Sequence, residues 1–216
     1  MGSGAASLNR GGGRAFGLGP RWLPVVGGVL AIIVVAIVLL TGGGSHPRSA
    51  ASLKYGQIPA WLPKPTPPSN QIVTATAARP VLGAIEGNTV NAHLGHGSAL
   101  VTAVGPAIPD WVASEVQSGN WNDSSTAPST FTVTFVSPKG VVPLKASAFS
   151  ILTGQGQVIH PAVTGPHGAP LAARATPGKP ITLTLKVGLG EGDGALRWAP
   201  AGQKVLVAWF YHLELD

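Results

Sequence analysis

The chain contains no cysteine. That absence removes disulfides, cysteine-ligated zinc, a cysteine nucleophile and lipid attachment through an acylated cysteine. An exported domain built from this chain must hold its core without covalent staples. Methionine occurs once, at Met1, so a thioether copper site is excluded as well. Charge is scarce: 10% of the 216 residues are Asp, Glu, Lys or Arg, where roughly 25% is usual for a soluble domain. The motifs G-x-S-x-G, S-x-x-K and H-E-x-x-H are absent, which removes the local signatures of serine hydrolases, penicillin-binding proteins and zincins. Only 8 Asp and Glu are present to supply a triad from scattered residues. The net charge of +6 falls partly on Arg10, Arg14 and Arg21 near the N-terminus. No dense basic face with interleaved aromatics remains for nucleic acid. No segment repeats at a fixed period.

One long hydrophobic run accounts for part of the charge deficit. Residues 23–40 read LPVVGGVLAIIVVAIVLL, with no polar or charged side chain. As a helix this stretch spans about 27 Å, close to the ~30 Å hydrocarbon core of a bilayer. Pro24 sits in the first turn, where its missing N–H matters least. Trp22 suits the interface, and the glycines at 42–44 end the helix. A cleaved signal peptide would have a shorter apolar stretch and an A-x-A-like site. A transmembrane helix is therefore expected over 23–41, after a disordered cytoplasmic arm over 1–22. Three arginines precede the helix and Arg48 alone follows it closely, which puts the N-terminus in the cytoplasm and the rest outside the membrane.

Residues 42–70 are rich in glycine and proline and read as an extracytoplasmic linker. Within them, KYGQIPAWLPKPTPPSN (54–70) carries Pro59, Pro63, Pro65, Pro67 and Pro68. Proline fixes φ and donates no hydrogen bond, so a polyproline II rod of roughly 30 Å is expected from Pro59 to Pro68, acting as a spacer. Tyr55, Ile58, Trp61 and Leu62 do not fit a plain spacer. They predict either contact with the lipid interface or a staple onto the following domain.

Residues 71–216 are dominated by strand signals. STFTVTFV (129–136) puts Phe131, Val133 and Phe135 on one face and threonines on the other; ITLTLKV (181–187) does the same. A period of two with β-branched residues is the mark of a half-buried strand. KVLVAWFYHLELD (204–216) is apolar on both faces at first and ends polar at His212 and Glu214, which predicts a central strand emerging at the surface. Further strands are expected at 71–76, 98–104, 146–152, 157–163 and 195–198. AIEGNTVNAHL (84–94) reads as a hairpin around Gly87 and Asn88. Eight or nine short strands separated by turn residues predict an antiparallel sandwich. Only DWVASEVQ (110–117) reads as helix, with Asp110 as a candidate N-cap.

The connection 105–128 is long for a compact domain, and such loops are often functional. Its Trp111 and Trp121 are the candidate partner-binding residues, able to stack on a sugar or anchor a protein. The competing expectation is that both rings cap the open end of the sandwich. Of the histidines at 46, 93, 96, 160, 167 and 212, only His93 and His96 (HLGH) form a close pair. A turn at Gly95 would bring them together as a candidate copper or zinc site, although two ligands fall short of a structural zinc site. GLGEGDG (188–194) lacks the following helix and the Lys-Ser/Thr of a phosphate loop. It reads as a connection between strands.

FTVTF (131–135), AFSIL (148–152), PG (177–178), ITLTL (181–185), LRWAP (196–200), VLVAWFYHLELD (205–216) and KYGQIPAWLPKP (54–65) together carry a resemblance. They resemble the immunoglobulin-like extracytoplasmic domains of actinobacterial lipoproteins and single-pass membrane proteins of unknown function. The resemblance implies an immunoglobulin-like sandwich over 71–216 in the cell envelope, and it transfers no catalytic residue. The lipoproteins use an acylated cysteine; here the apolar helix takes that place. The combined expectation is a membrane-anchored extracytoplasmic binding or adaptor module. It has no enzymatic activity and no cofactor, its partners are the lipid bilayer through 23–41 and an envelope protein or glycan, and it binds no nucleic acid. The alternative is an exported metal-handling domain using His93 and His96.

Overall fold

The computed structural model describes residues 58–66, 71–122, 126–202 and 204–215. The expected cytoplasmic arm, the apolar run 23–41 and Tyr55 lie outside the described residues. Among the described residues no helix is long and apolar enough to cross a membrane.

Among the described residues, eleven strands form two facing sheets, an all-β sandwich with one α-helix. In chain order they are β1 (Val73–Ala75), β2 (Val81–Ile85), β3 (Thr89–His93), β4 (Gly97–Ala107), β5 (Ala127–Gly140), β6 (Phe149–Thr153), β7 (Val158–Ile159), β8 (Ala162–Thr164), β9 (Ile181–Leu189), β10 (Gly192–Trp198) and β11 (Val207–Leu213). Helix α1 (Asp110–Gln117) lies between β4 and β5. The first sheet has the order β1-β3-β4-β5-β9-β8 and the second β2-β11-β10-β6-β7. All pairings are antiparallel except β1 with β3 and β2 with β11.

The alternation in the sequence explains the core. Phe131, Val133 and Phe135 of β5 and Leu183 and Leu185 of β9 point inward and are buried. They meet Phe149 and Ile151 of β6, Trp198 of β10 and Trp209 of β11 in one cluster. Aromatic rings set its geometry: Phe135 meets Trp198 edge-on at 5.2 Å, Phe131 meets Tyr211 at 5.1 Å, and Phe149 stacks on Trp198 at 6.5 Å. Gly194 lies directly across from Tyr211. A Cβ there would collide with the Tyr211 ring and hydroxyl, so only glycine leaves the ring its place.

Four expectations need correction. The hairpin over 84–94 does not form: β2 pairs with β11 in the second sheet and β3 with β4 in the first. The turn at Gly87 and Asn88 therefore carries the chain between layers, and the Trp209 indole N–H donates to the Asn88 carbonyl at 3.0 Å to hold it. The single strand expected at 157–163 is two, β7 and β8, in different sheets, broken at His160-Pro161 where proline offers no ladder donor. The N-cap of α1 is Pro109, and Asp110 makes no capping bond but sits in the first turn, where its charge suits the helix dipole.

The fourth correction concerns the rod. Residues 58–66 do not stand away from the domain. Leu62 is buried against Ala195 and Ala208 on the outer face of the second sheet, with Ile58, Trp61, Leu152, Val205 and Phe210 around it. The Thr66 N–H donates to the Gly83 carbonyl at 2.7 Å. Of the two roles expected for Ile58, Trp61 and Leu62, the structure has the staple.

Candidate functional site

The strand directions bring the loops to two ends. At one end lie the β2–β3 turn, α1 with its flanking segments, the β9–β10 turn and the end of β11. At the other lie the β1–β2 turn, the β3–β4 hairpin, the β5–β6 connection, the approach to β9 and the β10–β11 connection. Charge follows this division. Every acidic residue among the described residues, Glu86, Asp110, Glu115, Glu191, Asp193 and Glu214, lies at the first end. Arg79, Lys145, Arg174, Lys179 and Lys204 lie in the loops of the second and Lys139 at the end of β5 there, while Lys186 of β9 lies toward the first.

The two candidate tryptophans belong to the acidic end, and their environments differ. Trp111, in the first turn of α1, is 55% exposed. Val112, its neighbour, is buried and roots the helix in the core. Trp121 is half-buried and packs on the same core. The two ring centroids are 6.4 Å apart with planes inclined by 56°. Between them the helix closes with Gly119 at φ +70°, whose N–H donates to the Val116 carbonyl at 2.9 Å, while the Asn120 N–H donates to the Glu115 carbonyl at 2.9 Å. Left-handed backbone at that point favours glycine. The expectation that both rings cap the sandwich holds for Trp121 alone, which packs on the core, whereas Trp111 is presented to solvent. The Trp121 indole nitrogen is buried with no hydrogen-bond partner.

At the same end of the sandwich, at the end of β11, the His212 ring is held between two carboxylates. Its Nδ1 lies 2.7 Å from Asp193 and its Nε2 3.3 Å from Glu214. The Asp193 hydrogen bond, helped by both carboxylate charges, raises the His212 pKa above the usual imidazole range despite slight desolvation. Tyr211, on the opposite face, is pushed well above the ordinary phenol range by burial and by the Asp193 charge. Glu86 accepts a hydrogen bond from the Gly105 N–H at 3.1 Å, tying the β2–β3 turn to the end of β4. The alternation in 204–216 marks His212 and Glu214 only as the polar end of a strand, and no spacing joins them to Asp193 or marks Glu86. Asp193 lies in the glycine-rich 188–194 stretch, expected as a connection between strands; only residues 190–191 connect, and Gly192–Gly194 already belong to β10.

The clefts are poor in reactive groups. One of about 270 Å³ between β1 and β2 is lined by Val73, Val81, Asn88 and Val90 among others, with no titratable side chain. A shallower one of about 450 Å³ beside Pro109 has Lys186 as its ionisable residue. His93 ends β3 and His96 lies in the turn to β4, both exposed at the basic end. His160 approaches the Phe149 carbonyl at 3.1 Å through Nδ1, and His167 is exposed at φ +56°. No cluster of three or more His, Cys, Asp or Glu that could hold a metal ion occurs among the described residues.

No protein-family model, no curated protein and no solved structure matches this chain.

Proposed function

We propose that this chain is a single-pass, membrane-anchored binding module of the cell envelope, with the apolar run 23–41 as anchor, the N-terminus in the cytoplasm and the sandwich outside. It acts by contact and carries out no chemistry of its own. The observation that carries the reading is Trp111: a large aromatic ring held in solvent by a helix whose Val112 is buried and whose neighbour Trp121 is packed on the core. Solvated aromatic surface on a rigid mount is what a protein or glycan partner buries to gain affinity.

In this reading the sandwich is an immunoglobulin-like domain of the kind found in actinobacterial single-pass membrane proteins and lipoproteins. The support is coarse: two facing sheets of mostly antiparallel strands close over one core of inward-facing residues. The metal-handling alternative at His93 and His96 gains no third ligand from the fold among the described residues.

Cross-linked cells expressing the full chain and its Trp111→Ala variant test the reading. A reproducible envelope partner recovered with the first and lost with the second is the expected outcome. Equal recovery with both removes the Trp111 site, and release of the full chain from vesicles by alkaline carbonate removes the anchor.

A further inference from the structure

The charge division between the two ends has a physical use that the binding site does not explain. Six cationic side chains, Arg79, Lys139, Lys145, Arg174, Lys179 and Lys204, occupy one end of the sandwich without an acid among the described residues there. All six are exposed. The tip of that end also exposes an apolar side chain between two of the lysines: Val141 is 48% exposed, while the adjacent Val142 is buried. The Val141 N–H donates to the His96 carbonyl at 2.9 Å, which fixes the tip against the β3–β4 hairpin. Gly140 makes that approach possible, because a Cβ there would overlap the His96 carbonyl.

We propose that this basic end rests on the anionic phospholipid surface of the membrane, holding the acidic, Trp111-bearing end outward. The proposal rests on the anchored reading above. Three features favour a bilayer as the occupant. The cations are spread over four separate loops and the end of β5 instead of converging on a pocket, which suits a plane of headgroups better than one bound phosphate. An exposed valine flanked by lysines suits the boundary between headgroup and acyl chain, where apolar and basic side chains both gain. The tether is short. Sixteen residues, 42–57, separate the apolar run from the stapled Ile58, and even fully extended they span only about 55 Å.

The opposite end supplies the orienting couple. The 11 residues of β4 run from the basic to the acidic end, roughly 35 Å at the rise of a strand. A bilayer field that decays over about 8–10 Å acts on the near end and hardly on the far one. Turning the domain over would place six carboxylates against the anionic surface.

Because the chain has no cysteine, single dye positions can be introduced cleanly. Ala173→Cys marks the basic end and Gln117→Cys the acidic end; both positions are exposed. The full chain is reconstituted in vesicles carrying a headgroup-labelled acceptor lipid, and energy transfer is measured from each site. On phosphatidylglycerol-containing vesicles at low salt, transfer from position 173 should exceed that from 117 several-fold. The difference should collapse on pure phosphatidylcholine, in high salt, and in a Lys139→Glu, Lys145→Glu, Arg174→Glu variant. If that variant does not fold, Lys139→Gln with Lys145→Gln should halve the difference or more.

Equal or reversed transfer on the anionic vesicles overturns the proposal. So does indifference to salt and to the substitutions. Preference for a soluble glycerol phosphate polymer over the anionic vesicles overturns it in favour of an envelope polymer. If alkaline carbonate strips the chain from vesicles, the anchored reading fails separately. Co-sedimentation with anionic vesicles then decides: binding that is salt-sensitive and depends on Lys139 and Lys145 sustains the basic end as a lipid surface, and its absence ends the idea.

Discussion

The two outer faces of the sandwich solve the same problem in opposite ways. The first sheet turns Thr102, Thr132, Thr134, Thr182 and Thr184 outward, half-buried, and only the short turn Pro166–Gly168 borders them among the described residues, beside Thr182 and Thr184. Its hydroxyls bond across strands, Thr89 to Thr102 at 2.7 Å and Thr134 to Thr182 at 3.2 Å. The second sheet turns Ala195 and Ala208 outward with Leu152, Val205 and Phe210, and the segment 58–66 lies over them. A polar face can remain wet, whereas an apolar one must be covered. The difference teaches that the Pro-rich segment is part of the fold as far as Thr66. Its prolines suit that role, since a chain lying across a sheet face needs few backbone donors.

The largest test of that contrast is at Leu62, which is 4% exposed. Leu62→Ala should destabilise the full chain by about 2–3 kcal/mol in urea unfolding, the usual loss for a buried leucine. An effect near zero would break the comparison and return the segment to a free spacer. Gly83→Val comes next. A Cβ on Gly83 would overlap the Lys64 carbonyl and lie 2.9 Å from the Thr66 hydroxyl oxygen, so the segment must shift, at a cost of about 1–2 kcal/mol. Combined with Leu62→Ala it should add less than its own cost, because a displaced segment cannot be displaced again.

On the uncovered face, Thr134→Ala should cost only about 0.5 kcal/mol, the scale of one cross-strand pair. A cost matching that of Leu62→Ala would mean that the threonine face is also covered in the whole protein.

The smallest effect is at His212, on the outward side of β11 where the staple gives way to solvent. Its folded pKa is raised, chiefly by the Asp193 hydrogen bond. The stability it contributes is therefore complete below the unfolded histidine value and fades as pH rises through the higher folded value. The ring is 51% exposed, so solvent screening should keep the contribution to roughly 0.5 kcal/mol or less. Urea midpoints should fall slightly between about pH 6 and about pH 8. His212→Gln should flatten that slope; an unchanged slope would locate it elsewhere.

The strands at 129–136 and 181–187 and the helix at 110–117 were legible because local periodicity decides them. Phe131, Val133 and Phe135 can share one face only in an extended chain, and Val112 and Val116, four apart, share one face of a helix, which burial of Val112 then holds. The same local signals misled at 84–94. Gly87 and Asn88 make a tight turn whether the strands beside it pair or part, and only the competition between β11 and β4 for partners sends β2 and β3 to different sheets. The site was half legible. Trp111 and Trp121 stood out by type, but which ring is buried depends on where the end of the core lies.

By itself, the sequence determined the alternation that makes a β-sandwich, the apolar run set apart before it, and the cysteine-free chemistry of both. Those properties follow from residue type and near-neighbour spacing, which no packing can change. Tertiary structure alone decided the polarity of the molecule. Its acids and bases are interleaved along the chain, and only strands running up and down sort successive connections to opposite ends. Neutral spacing in sequence thereby becomes separated charge in space.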